Sequence, residues 1–176
     1  EVSLADYALP NSNNGSDGTY EYWNEDIFGN ATSIANGDVH VVCHPDADDI
    51  IQAHCDSTHK YLSNGDDGFA LVKGGTFTDA DDDGKKDAGE VTGFTIVDIV
   101  GDWNADPGTG WDVCGVNNAT ANHTLVKKER TGGNPDWASS AGTNATDCDW
   151  IVKEQNDWTG VGSHCPDASA EVVITV

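Results

Sequence analysis

Apolar residues in this chain come in strand-length runs, each closed by Gly, Asn, Asp or Pro, and no other feature limits its fold as strongly. VHVVC (39–43), FALVK (69–73), FTIVDIV (94–100), HTLVKK (123–128), WIVKE (150–154) and VVITV (172–176) read as strands, FTIVDIV most strongly. SNGDDG (63–68) and NADPGTG (104–110) read as turns. PDADDIIQAH (45–54) carries acidic residues in its first turn with Ile50 and Ile51 behind them, the pattern of one short helix. No internal repeat is visible in the 176 residues. The expectation is an all-β domain with one short helix. Six Trp, four Tyr, four Phe and many Val and Ile supply the core that a disordered acidic chain would lack.

Between two of these runs lies DADDDGKKDAGE, residues 79–90. Calcium takes six to eight oxygen ligands, and a loop of this length can wrap it. Asp79, Asp81 and Asp83 stand at the first, third and fifth positions, Gly84 at the sixth where the chain must turn sharply, and Lys85 at the seventh, which offers a backbone carbonyl. Asp87 at the ninth could act directly or through water, and Glu90 at the twelfth could close the site with both oxygens. The spacing predicts an EF-hand-like loop for one Ca2+, favoured over a merely solvated acidic tip. Strand-like sequence flanks it on both sides, so it reads as a lone structural site joining two strands, with no helix pair for a sensor to open. Without an ion, its carboxylates repel one another.

The chain carries 8 basic and 31 acidic residues, a net charge of −23. So negative a surface repels nucleic acid and anionic lipid, whose recognition needs cations. No apolar run approaches ~18 residues, so no segment reads as a membrane span. The absence of Met predicts a chain trimmed of its initiator and any targeting signal. Cys43, Cys55, Cys114, Cys148 and Cys165 contain no CxxC pair, and read as two disulfides plus one cysteine in an oxidising, extracellular setting. Cys43–Cys55 and Cys114–Cys148 are the expected bridges. His40, His44, His54 and His59 crowd around the first two cysteines, so zinc is the competing reading there; the disulfide is favoured. Five Asn-X-Ser/Thr sequons, at Asn14, Asn30, Asn118, Asn122 and Asn144, agree with export and offer sites for glycans.

No GxSxG, HExxH or phosphate-binding glycine loop is present, so no catalytic residue is assigned. Trp23, Trp103, Trp111, Trp137, Trp150 and Trp158 could make a sugar-binding platform, although such residues are more often core.

Taken in order, YLSNGDDGFALVK, IVDIVGDWNADPGTGWDV, ANHTLVKK, NPDWASSAGT and DWIVKEQNDWTGVGSH resemble the lamin-tail domain family in its bacterial, secreted form, over about residues 2–164. The resemblance implies an immunoglobulin-like β-sandwich. Such domains accompany extracellular nucleases, phosphatases and surface proteins as non-catalytic modules, and share no catalytic residues that could be carried over. Two departures stand out. The acidic loop lengthens what is usually a short hairpin. The strand resembling the family's opening one lies instead at the far end, as Val172, Val173, Ile174, Thr175 and Val176. The expected organisation is a sandwich over residues 1–165 with the loop inserted, then a linker and donor strand over 166–176. A missing first strand leaves unpaired backbone; the terminal strand entering in trans would build a head-to-tail filament or link tandem repeats, the favoured reading, while folding back onto its own domain as in a circular permutation and remaining an unpaired tail are the alternatives.

These readings converge on a non-enzymatic, calcium-stabilised extracellular structural module that self-associates. The alternatives are an accessory domain of a secreted hydrolase such as a nuclease, and a carbohydrate-binding or adhesion module.

Overall fold

The computed structural model describes residues 1–15, 17–62, 64–128 and 132–163. In chain order these form β1 (Val2–Ser3), β2 (Tyr7–Ala8), β3 (Asn11–Ser12), a 3-10 turn (Glu25–Phe28), β4 (Ser33–Ile34), β5 (Val42–Cys43), α1 (Asp49–Gln52), β6 (Ser57–Thr58), β7 (Gly68–Lys73), β8 (Thr76–Phe77), β9 (Val91–Thr92), β10 (Thr95–Val100), α2 (Ala119–Asn122), β11 (Thr124–Lys127), α3 (Trp137–Ala141) and β12 (Trp150–Lys153). Strands dominate, as the short apolar runs imply.

β7 is the centre. It pairs antiparallel with β10 on one side and with β2 and β3 on the other. Successive strand side chains point to opposite faces, and both faces of β7 are covered. Ala70 and Val72 join a cluster with Tyr20, Trp23, Trp103, Leu125 and Trp150. Phe69 and Leu71 join a second cluster with Leu4, Leu9, Ile27, Phe28 and Ile34. A run buried on both faces has no reason to alternate in polarity, which is why residues 69–72, FALV, are apolar throughout and the run turns polar only at exposed Lys73. β11 and β12 form a separate antiparallel ribbon, Leu125 opposite Val152 and Val126 opposite Ile151.

The β7–β10 register slips between Ile96 and Asp98. A bulge of this kind re-aims a side chain. Asp98 is 1% exposed and meets Lys127 of β11, itself 3% exposed, at 2.6 Å. Its Oδ1 also accepts the backbone N–H groups of Ile99 and Asn134 at 3.1 and 3.0 Å. The Lys127 ammonium stands 4.6 Å from the centre of the Trp150 ring. Gly133 makes room for the chain passing this bulge, because a Cβ there would lie 2.2 Å from the Val97 carbonyl oxygen.

Two disulfides are present, Cys43–Cys55 and Cys114–Cys148, with Cα atoms 5.8 and 5.3 Å apart. They are compatible with an oxidising, extracellular setting. No helix among the described residues is long and apolar enough to cross a membrane.

The expected single helix corresponds to α1, where the Asp48 carboxylate caps the Ile50 N–H at 2.9 Å. The count is corrected: α2 and α3 also form, and at four and five residues neither is long enough to carry a helical period. VHVVC is also shorter as a strand than expected, since only Val42 and Cys43 pair, in parallel with β6.

Candidate metal site

Residues 79–90 form the tip of a hairpin inserted between the paired strands β7 and β10. β8 and β9 make its stem, with Thr76 opposite Thr92 and Phe77 opposite Val91. The Thr78 N–H donates to the Glu90 carbonyl at 2.9 Å and closes the loop.

Within the loop, carboxylates take the place of backbone partners. Asp79 accepts the N–H groups of Asp83 and Gly84 at 3.2 and 2.9 Å. Asp81 accepts from Asp83 N–H at 3.3 Å, and Asp83 from Lys85 N–H at 2.8 Å. Gly84 sits at φ 76°, and a Cβ there would meet nothing within 4 Å, so its glycine serves backbone conformation alone. The result brings one carboxylate oxygen from each of Asp79, Asp81 and Asp83 within 4.8 Å of the others. These are hard oxygen donors, suited to calcium rather than to a thiolate-seeking metal.

The Glu90 and Asp87 carboxylates, also expected as ligands, are not members of this group. Glu90 accepts Ala80 N–H at 2.7 Å through one oxygen and Asp87 N–H at 3.0 Å through the other. It ties the loop's two ends together. The Lys85 ammonium pairs with Asp83. That pairing, chiefly the side-chain hydrogen bond, holds the Asp83 carboxyl below the usual carboxylate range and raises Lys85 above the ordinary lysine range.

Two contacts root the loop in the body. Lys86 pairs with Glu25 on the 3-10 turn, its ammonium 5.6 Å from the centre of the Phe77 ring. Tyr20, 1% exposed, donates its hydroxyl proton to the Asp87 carbonyl at 3.0 Å and accepts the Val91 N–H at 2.7 Å. Its ring packs on Trp23, Phe94 and Trp103 with centroids 5.1, 6.0 and 6.4 Å away. Burial pushes its phenol above the usual tyrosine range. Sequence reasoning missed Tyr20. Its partners lie 67 and 71 residues along the chain, and a lone tyrosine in a loop carries no local signal.

The histidines near the first disulfide make no metal group. Among the described residues, Asp79, Asp81 and Asp83 are the group of three or more His, Cys, Asp or Glu that converges. Cys43 and Cys55 are bonded to each other. His40 shares a hydrogen bond with Ser57 Oγ at 2.9 Å, and burial lowers both His40 and His59 below the ordinary histidine range.

Asn14, Asn30, Asn118, Asn122 and Asn144 are all exposed. Trp23, Trp103, Trp137 and Trp150 are buried in the first cluster and half-buried Trp111 packs against it, so these five are core, whereas half-buried Trp158 lines a cavity beside the second cluster. Residues 172–176 and Cys165 lie outside the described residues. Compared with protein-family models, curated proteins and solved structures, the chain matches none.

Proposed function

We propose that this chain is a non-enzymatic extracellular structural module, an immunoglobulin-like sandwich of the lamin-tail type. Two disulfides and a calcium ion at the acidic hairpin stiffen it, and its terminal strand, residues 172–176, links copies head to tail into a fibre. The observation that carries the reading is the hairpin. It gathers three carboxylates within 4.8 Å at its tip, while its base is pinned to the buried aromatic cluster of Tyr20, Trp23 and Trp103 through the Tyr20 hydroxyl. A ligand there would cross-brace the tip and transmit its hold to the core. Asp79, Asp81 and Asp83 would hold the ion, and calcium would supply charge neutralisation where the carboxylates otherwise repel.

The buried polar groups support a structural role. Asp98, Lys127, Ser140 and Trp150 bond to one another. The disulfides and exposed sequons support an extracellular setting. The carbohydrate-binding reading is weakened by five of the six tryptophans packing in or against the core, with Trp158 alone on the cavity wall.

The test is negative-stain microscopy of the whole chain with millimolar calcium, then with chelator. Filaments that shorten or dissociate on chelation are expected. Particles that stay monomeric at high concentration in calcium would sink the fibre reading.

A further inference from the structure

The second apolar cluster is not closed. Beside it a cavity of about 590 Å³ opens between the sheet of β7 and the β11–β12 ribbon, lined by Phe28, Ile34, Val42, Leu71, Val126 and Ile151. The ribbon presents one face to each side. Leu125 and Val152 pack against the first cluster, whereas Val126 and Ile151, paired across the strands, face the cavity. Ile151 is left 48% exposed. Among the described residues β11 and β12 pair only with each other, so the ribbon has edges able to accept a further strand.

The chain itself runs along the rim of this cavity. Gly160, Val161, Gly162 and Ser163 line it, and the thirteen residues 164–176 follow Ser163. Of these, 164–171 extend to at most about 27 Å, enough to bridge to a neighbour. The run VVITV behind them spans about 17 Å as a strand. Copies of a chain with net charge −23 repel, so contact between them needs uncharged surfaces on both sides. VVITV carries no charged side chain, the six lining side chains named above carry none, and the charged residues that also line the cavity are paired, Lys127 with Asp98 and Lys153 with Asp157.

We propose that this cavity is the acceptor for residues 172–176 of a second copy of the chain. The inference rests on the head-to-tail reading above and adds its receiving site. Strand alternation divides the donor. Val172, Ile174 and Val176 enter between Leu71, Phe28 and Ile151, while Val173 and Thr175 face away.

The test uses the full chain carrying a photo-cross-linking benzoylphenylalanine at Ile174, mixed with heavy-isotope-labelled parent protein. Cross-linked peptides joining position 174 of one isotope to the region of Val126 or Ile151 of the other are expected. Links within one isotope would show the tail folding into its own cavity and overturn the second-copy assignment. Links between isotopes that map elsewhere would overturn the acceptor but leave head-to-tail assembly standing. No links in a protein that sediments as a monomer would overturn both. Ile151→Arg, at a site already half exposed, is expected to weaken self-association by about tenfold or more, as loss of a central anchor does. Filaments that survive Ile151→Arg but vanish with Ile174→Asp would also exclude this cavity.

Discussion

The junction of β10 with β11 and the tip of the acidic hairpin each hold an aspartate against a lysine, in opposite surroundings. Asp98 and Lys127 meet with side chains only 2% and 1% exposed, under the Trp150 ring and with further N–H donors on the carboxylate. Asp83 and Lys85 meet in solvent, the lysine side chain 72% exposed. A buried pair cannot lose one partner without stranding a charge. An exposed pair exchanges partners freely, because water and ions compensate. The first is therefore part of the fold. The second, on the proposed reading, is a placeholder that a divalent cation would replace.

That contrast can be broken at several points. The largest effect is expected from Lys127→Met, which leaves Asp98 buried without its counter-charge. It should lose about 3–5 kcal/mol in denaturant unfolding. A loss too small to measure would mean that the junction is as replaceable as the hairpin tip. Next comes the ion. Calcium at a hundred times its dissociation constant should raise the unfolding free energy by about 2.7 kcal/mol. Asp81→Ala, which removes a member of the group but only one 3.3 Å loop hydrogen bond, should abolish that gain and leave the melt in chelator nearly unaltered, so an equal calcium response in parent and variant would remove the site.

Tyr20→Phe, at the link between the two environments, should cost about 1–3 kcal/mol by stranding the Val91 N–H. It should also speed exchange of that amide, and unchanged exchange would mean that the phenol is not the anchor. The same phenol sets an alkaline limit. Its folded value is raised above 10.0, so its contribution is complete below the unfolded value and is lost as pH climbs through the folded one. Tyrosine absorbance should accordingly show one late-ionising phenol. Smallest of all, Lys85→Ala in chelator should leave the melt unchanged, and a clear loss would make Asp83–Lys85 structural after all.

How much of this was legible in the sequence depended on range. β7, β10, β11 and β12 lie within one residue of the expected runs at each end, because β-branched stretches between turns carry their own signal. The hairpin's position between paired strands was legible for the same reason, as was the side-chain spacing that lets Asp79, Asp81 and Asp83 converge. The bonds by which Glu90 joins the loop's two ends were not, since spacing does not show which N–H groups a carboxylate will accept. Asp98–Lys127 was equally hidden, a contact 29 residues apart that depends on a bulge. α2 and α3 are too brief to leave a period; α3 has a local cap, Asp136 accepting the Ser139 N–H at 3.4 Å, and α2 has no side-chain cap.

Because β8 and β9 close their own stem, the twelve residues at the tip are topologically isolated from the sheet. Peptides of other length or chemistry could be grafted between Phe77 and Val91 without sliding Ile96 off Val72. Such a domain can change what it displays while keeping the architecture that displays it.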